Sequence, residues 1–203
     1  MATLDQFLSI VRGRLPGCPE AVLRDAVRDA CIEFCKRTQL LTQITDVEVV
    51  AGEREVDLYP DADTHWELLE VRRDNHRLQP VSRTAYLDSD FGVLAGAPQY
   101  YYLEGDLKLV LGPVPDADET LTAWVATRPK DAATSVNDVL WTDYREPIAA
   151  GARAWVRRHY GEWGEAKLEA EDRIMFDKAI YNQNLRRAHG GAGTLLRVRA
   201  HPF

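Results

Sequence analysis

The chain has 203 residues, 45% of them hydrophobic and 28% charged, enough for one well-cored soluble domain or two small ones. No apolar run approaches the ~18 residues needed to cross a bilayer, and residues 1–7 carry neither a basic start nor an apolar stretch, so neither a membrane span nor a secretory signal is expected. The formal net charge of −7 is unevenly spread: residues 42–127 hold 17 acidic and 6 basic side chains, a net of −11, which repels a nucleic-acid backbone and argues against a sequence-specific DNA binder. Three cysteines, an odd number, suit folding in a reducing cytoplasm.

Residues 3–12 read as a short helix with Thr3 as its cap and Gln6 completing a capping box. Gly13, Pro16, Gly17 and Pro19 force a turn, and Pro19 suits the first position of the next helix. That helix is predicted to run to about Thr38. Val22, Leu23, Ala26, Val27, Ala30, Cys31 and Phe34 line one face, and charged residues line the other. From Thr42 the period changes to two. Residues 44–50 and 54–59 alternate around the turn Ala51-Gly-Glu53 and predict a hairpin. Residues 66–72 form a third strand, turning through Asp74-Asn-His76 into 77–81. Residues 99–103 and 107–111 predict a second hairpin around Glu104-Gly-Asp106, and 119–127 is the last strong strand.

Helix is expected to return near Thr142, with Asp143 and Glu146 as start signals and Pro147 held in the first turn. It runs to Tyr160 and is dense in small residues (Ala149, Ala150, Gly151, Ala152, Ala154) that let a neighbouring helix approach closely. Gly161-Glu-Trp-Gly164 breaks it. The last helix spans 165–188 and carries Leu168, Ile174, Met175, Ala179, Ile180 and Leu185 as its apolar residues. This order predicts an α+β fold with segregated layers. Two N-terminal and two C-terminal helices (1–41 and 142–188) form a helical bundle, 42–141 an inserted small antiparallel β-sandwich or barrel, and 189–203 an extended arm.

No catalytic constellation emerges. Cys31 and Cys35 share a helix face, but nothing nearby completes a metal site, and Cys31 lies on the apolar stripe. The five histidines are scattered and no nucleophile-elbow, zinc-protease or P-loop motif is present. The acid pairs Asp61/Asp63, Asp88/Asp90 and Asp116/Asp118 fall in turn-rich segments, where aspartate bonds its own backbone. Tyr100, Tyr101 and Tyr102 have too few basic neighbours for a base-stacking platform and read as a packed strand. Neither a cofactor nor a metal is expected.

The C-terminus stands apart. From Arg186 onward there are four arginines and no acid. Gly190, Gly191 and Gly193 read as a hinge, since each glycine costs a helix interior about 1 kcal/mol. Beyond it come Thr194, Leu195, Leu196, Arg197, Val198, Arg199, Ala200, His201 and Phe203. Leu196, Val198 and Ala200 alternate with Arg197, Arg199 and His201, the periodicity of a strand with nothing adjacent to pair with. The expectation is an arm that docks on something outside the body, by strand addition.

Several stretches together resemble phage head–tail adaptor proteins. They are Gly96-Ala-Pro-Gln-Tyr-Tyr-Tyr-Leu103, Leu109-Val-Leu-Gly-Pro-Val-Pro-Asp116, Val125-Ala-Thr-Arg-Pro129, Asp143-Tyr-Arg-Glu-Pro-Ile-Ala-Ala-Gly-Ala152 and Leu23-Arg-Asp-Ala-Val-Arg-Asp-Ala-Cys-Ile-Glu-Phe34. Their order and spacing cover roughly residues 15–185. The resemblance implies a non-enzymatic virion protein assembled in the host cytoplasm and placed at the neck of a tailed double-stranded DNA phage. It implies a homo-oligomeric ring of twelve copies, with the portal protein and a tail or nozzle protein as partners. DNA would pass through the lumen without sequence-specific binding, and the arm 194–203 would reach the portal. Two other readings stay open at this point: another neck component such as a stopper or tail terminator, and a peptidoglycan-degrading virion enzyme using a turn carboxylate.

Overall fold

The computed structural model describes residues 1–58, 64–74, 76–105 and 108–189. The chain is mixed α+β and divides into two compact units, Met1–Leu40 with Pro129–Phe203, and Leu41–Arg128.

The first unit is built on four helices: α1 (Leu4–Arg12), α2 (Glu20–Thr38), α4 (Asp138–His159) and α5 (Ala166–Ala188). The apolar stripe of α2 is buried as its 3.6-residue period requires, with Leu23, Ala26, Val27, Ala30, Cys31 and Phe34 all inside. Gln39 ends that helix in a left-handed conformation (φ 48°), its N–H bonded to the Cys35 carbonyl at 2.8 Å. Against this face lies the small-residue segment of α4, where Ile148, Ala149, Ala150 and Ala152 are fully buried. Aromatic contacts tie the helices together: Phe7 to Trp141 (centroids 5.0 Å), Phe34 to Tyr144 (4.8 Å) and Phe34 to Phe176 (5.9 Å).

Three sequence expectations change here. Thr3 precedes α1 but its side chain caps nothing. Its backbone pairs with Ser135, because β1 (Ala2–Thr3) and β10 (Ser135–Val136) form a two-stranded antiparallel ribbon, and the Leu4 N–H is taken by the Thr134 carbonyl. Pro19 stands just outside α2, not within its first turn. Helix α4 begins at Asp138, four residues before Thr142, because the Asn137 side chain accepts from the Val139 N–H at 3.0 Å. Pro147 therefore lies inside the helix. Proline has no N–H to donate to the carbonyl four residues earlier, which belongs to the exposed Asp143.

The second unit holds two four-stranded sheets. One has the order β2 (Leu41–Val49), β9 (Glu119–Pro129), β4 (Thr64–Arg73), β5 (His76–Arg77). The other runs β3 (Glu55–Asp57), β8 (Lys108–Gly112), β7 (Tyr100–Glu104), β6 (Gln79–Pro80), with β6 parallel to β7 and the remaining pairs antiparallel. Neither closes into a barrel. Inward residues of both sheets share one core, among them Val47, Val49, Val71, Leu109, Leu111 and Leu121.

The hairpin β7–β8 forms as its alternation predicts, with Tyr102 opposite Val110. The first predicted hairpin does not form: β2 pairs with β9 and β3 with β8. The turn between them is held by the loop 112–118 instead. Gly52 N–H bonds the Pro115 carbonyl and Ala51 N–H bonds an Asp118 carboxylate oxygen, both at 2.8 Å. The chain thus steps from one sheet to the other, and both flanking segments still alternate because both line the same core. Between β6 and β7 sits a short helix, α3 (Arg83–Leu87), capped by Ser82, followed by a 3-10 turn at Asp90–Gly92.

Candidate interaction surfaces

The arm residues Thr194, Leu195, Leu196, Arg197, Val198, Arg199, Ala200, His201 and Phe203, and the hinge glycines Gly190, Gly191 and Gly193, lie outside the described residues. Helix α5 carries the chain to their threshold and ends with His189 as its cap.

The remaining chemical candidates resolve into packing and turn chemistry. Cys18, Cys31 and Cys35 are buried free thiols. Burial pushes the Cys31 thiol well above its ordinary value and Cys35 up to about 12, as packed thiols in an apolar stripe would be. Among the described residues no three His, Cys, Asp or Glu side chains converge as a metal site. Asp88 caps α3, Asp90 opens the 3-10 turn, and Asp118 accepts from Ala51; Asp61 and Asp63 lie outside the described residues. Tyr101 and Tyr102 are buried, and Tyr100 stacks on Phe91 at 4.3 Å between centroids, as a packed strand would have them.

The helical unit contains a charge cluster that the sequence did not single out. Arg153 and Arg157, one turn apart on α4, converge on Asp172 of α5, and all three side chains are at most 4% exposed. Arg153 donates from Nη2 to Oδ1 at 2.7 Å and from Nε at 3.1 Å, while Arg157 Nη1 bonds Oδ2. A second, surface network joins α2 to α5: Glu33 accepts from Arg173 at 2.8 Å and from Arg37 at 2.9 Å, and Asp177 accepts from both arginines. Both clusters fix helix against helix. Arg157 and Asp172 also line a pocket of about 290 Å³, and Glu33 and Arg173 a smaller one of about 70 Å³.

What the surface does offer is apolar side chains in solvent. On α5, Ile174 (67% exposed), Met175 and Tyr181 face outward, while Phe176 and Ile180 face inward, so the helix's apolar residues divide between solvent and core. In the β unit, Leu87 at the end of α3, and Leu94 and Val93 (85% exposed) in the segment after it, project into solvent. That segment is rigidly backed, since the buried Tyr86 hydroxyl donates to the Leu111 carbonyl at 2.7 Å and its ring packs on Phe91 and Tyr102. Exposed apolar groups on a firm base are the usual chemistry of an assembling surface.

None of the curated proteins is significantly similar to this chain. The sequence does match a protein family, described as SU10 adaptor protein, over residues 2–199, which takes in both compact units and most of the C-terminal segment. The chain belongs to the SU10 adaptor protein family and is a structural phage adaptor of the head–tail kind that its sequence motifs resemble.

Proposed function

We propose that the protein is a ring-forming adaptor at the neck of a tailed double-stranded DNA phage, joining the portal to the tail. The family match over residues 2–199 carries this reading. Exposed apolar residues on each unit support it, because a closed ring needs two different faces of one subunit to meet. Twelve copies in the ring are what the adaptor resemblance implies. The acidic β segment, net −11 over residues 42–127, suits a structure through which DNA slides without sticking. The role is architectural and needs no catalytic group.

The test is native mass measurement and negative-stain imaging of the purified full chain, alone and with its portal protein. Rings formed with the portal are the expected outcome. A protein that stays monomeric and ignores the portal overturns the reading.

A further inference from the structure

Strands β2 and β3 are the outermost strands of their sheets on the same side of the unit: β2 hydrogen-bonds to β9 alone and β3 to β8 alone among the described strands. Between them lies a groove of about 400 Å³. Its turn is fixed by the bonds from Gly52 and Ala51 already described, so the groove is preformed. From Ile44 to Val49 the outer edge of β2 has no strand beside it among the described residues, and such an edge is a template for another strand unless something covers it.

The two faces of β2 differ sharply. Val47 and Val49 point into the core, while Ile44, Asp46 and Glu48 point to solvent. Asp46, Glu48 and Glu53 make no ion pair among the described residues. Glu55, on the facing strand, meets Lys108 at 3.2 Å. A strand added beside β2 shares its two faces residue by residue. It must therefore carry apolar side chains on one face and cations on the other.

We propose that the segment 194–200 of a second copy of this chain adds as a strand to the β2 edge. Leu196, Val198 and Ala200 take the face of Val47 and Val49, and Arg197 and Arg199 take the face of Asp46 and Glu48. The segment has the required alternation and sign, and its seven residues match the nine of β2. Fourteen residues follow His189, about 45 Å when fully extended, which gives the segment reach beyond its own helix. The inference rests on the ring reading for its second copy. It places the arm's docking site on this chain, in place of the portal.

The experiment uses two full-length variants, co-expressed with different tags. One carries Ile44→Cys at the groove and the other Leu195→Cys or His201→Cys in the arm, on the face of Arg197 and Arg199, and a bismaleimide links them. The native thiols are buried and do not compete. A covalent pair joining the two tags is expected. Arg197→Glu with Arg199→Glu in the arm variant lowers its yield about tenfold, as losing two exposed ion pairs implies. Adding Asp46→Lys with Glu48→Lys in the groove variant restores it. A yield indifferent to these charges overturns the proposal, as does linkage confined to one chain when both cysteines are placed in the same chain. Rings on the portal without the link overturn the groove alone. The link in a protein that ignores the portal overturns the ring reading alone.

Discussion

The ring of Phe176 on α5 lies directly over the α-carbon of Gly151 on α4, so close that a β-carbon at 151 would come within 2.7 Å of the ring. Gly151→Ala is therefore expected to destabilise the helical unit by about 1–3 kcal/mol, the usual cost of overpacking. Chemical denaturation of the variant measures it. Phe176→Leu in the same chain should recover part of the loss, because the clash is with the ring.

Among the described residues, Asp172 is the one carboxylate paired with both buried Arg153 and Arg157. Asp172→Asn leaves two guanidinium charges uncompensated and should cost about 3–5 kcal/mol. Replacing all three by apolar residues of similar volume should cost much less, since the penalty arises from unpaired charge. Urea midpoints of the single and triple variants separate the two cases.

Tyr86→Phe removes the bond to the Leu111 carbonyl while leaving the ring contacts with Phe91 and Tyr102. A loss of about 1–2 kcal/mol is expected for a buried carbonyl deprived of its donor. Amide exchange should quicken between residues 86 and 94 before it changes in β2.

The thiols supply a direct probe of packing. Burial raises the pKa of Cys18, Cys31 and Cys35 alike. In the native protein at pH 8 none should react readily with a thiol reagent, whereas all three should react in denaturant. Rapid reaction of Cys31 or Cys35 in buffer would show that α2 is not packed as described.

Glu119 has its carboxyl raised above the ordinary value, chiefly by burial, with Asp116 and Asp74 adding to the shift and Arg73 opposing it. The folded state then holds this proton more tightly than the unfolded state. Stability from this group is full below the ordinary glutamate range and falls as pH rises through it, levelling off above the raised pKa. Glu119→Gln should therefore match the native protein in acid and exceed it at neutral pH. Thermal melts across that range measure the difference.

Legibility followed the length of the periodic run. The 3.6-residue stripe of α2 and the alternation of β7 and β8 span many residues and are read directly. The pairs Ala2–Thr3 and Ser135–Val136 are two residues each and meet across most of the chain, so no local pattern marks them. At α4 the sequence offers two start signals, Asp143 with Glu146 ahead of Pro147 and Asn137 ahead of Asp138, and the cap that operates is Asn137. Which sheet β2 and β3 join was invisible for a different reason: two strands lining one core alternate identically whether they pair with each other or not. Nothing local in the sequence sets Arg153, Arg157 and Asp172 apart from helix-surface charges, and only their convergence from two helices reveals them as interior.

The register of β2 against β9 begins with Leu41 opposite Thr127, the first and next-to-last residues of the β unit. The polypeptide thus comes in and goes out of that unit on adjacent strands, about 5 Å apart. Such a unit behaves as a cassette. It can be lengthened, shortened or exchanged for another with neighbouring termini while the connection to Leu40 and Pro129 keeps the same span. Evolution of a new surface could proceed in the cassette without rewriting the helices.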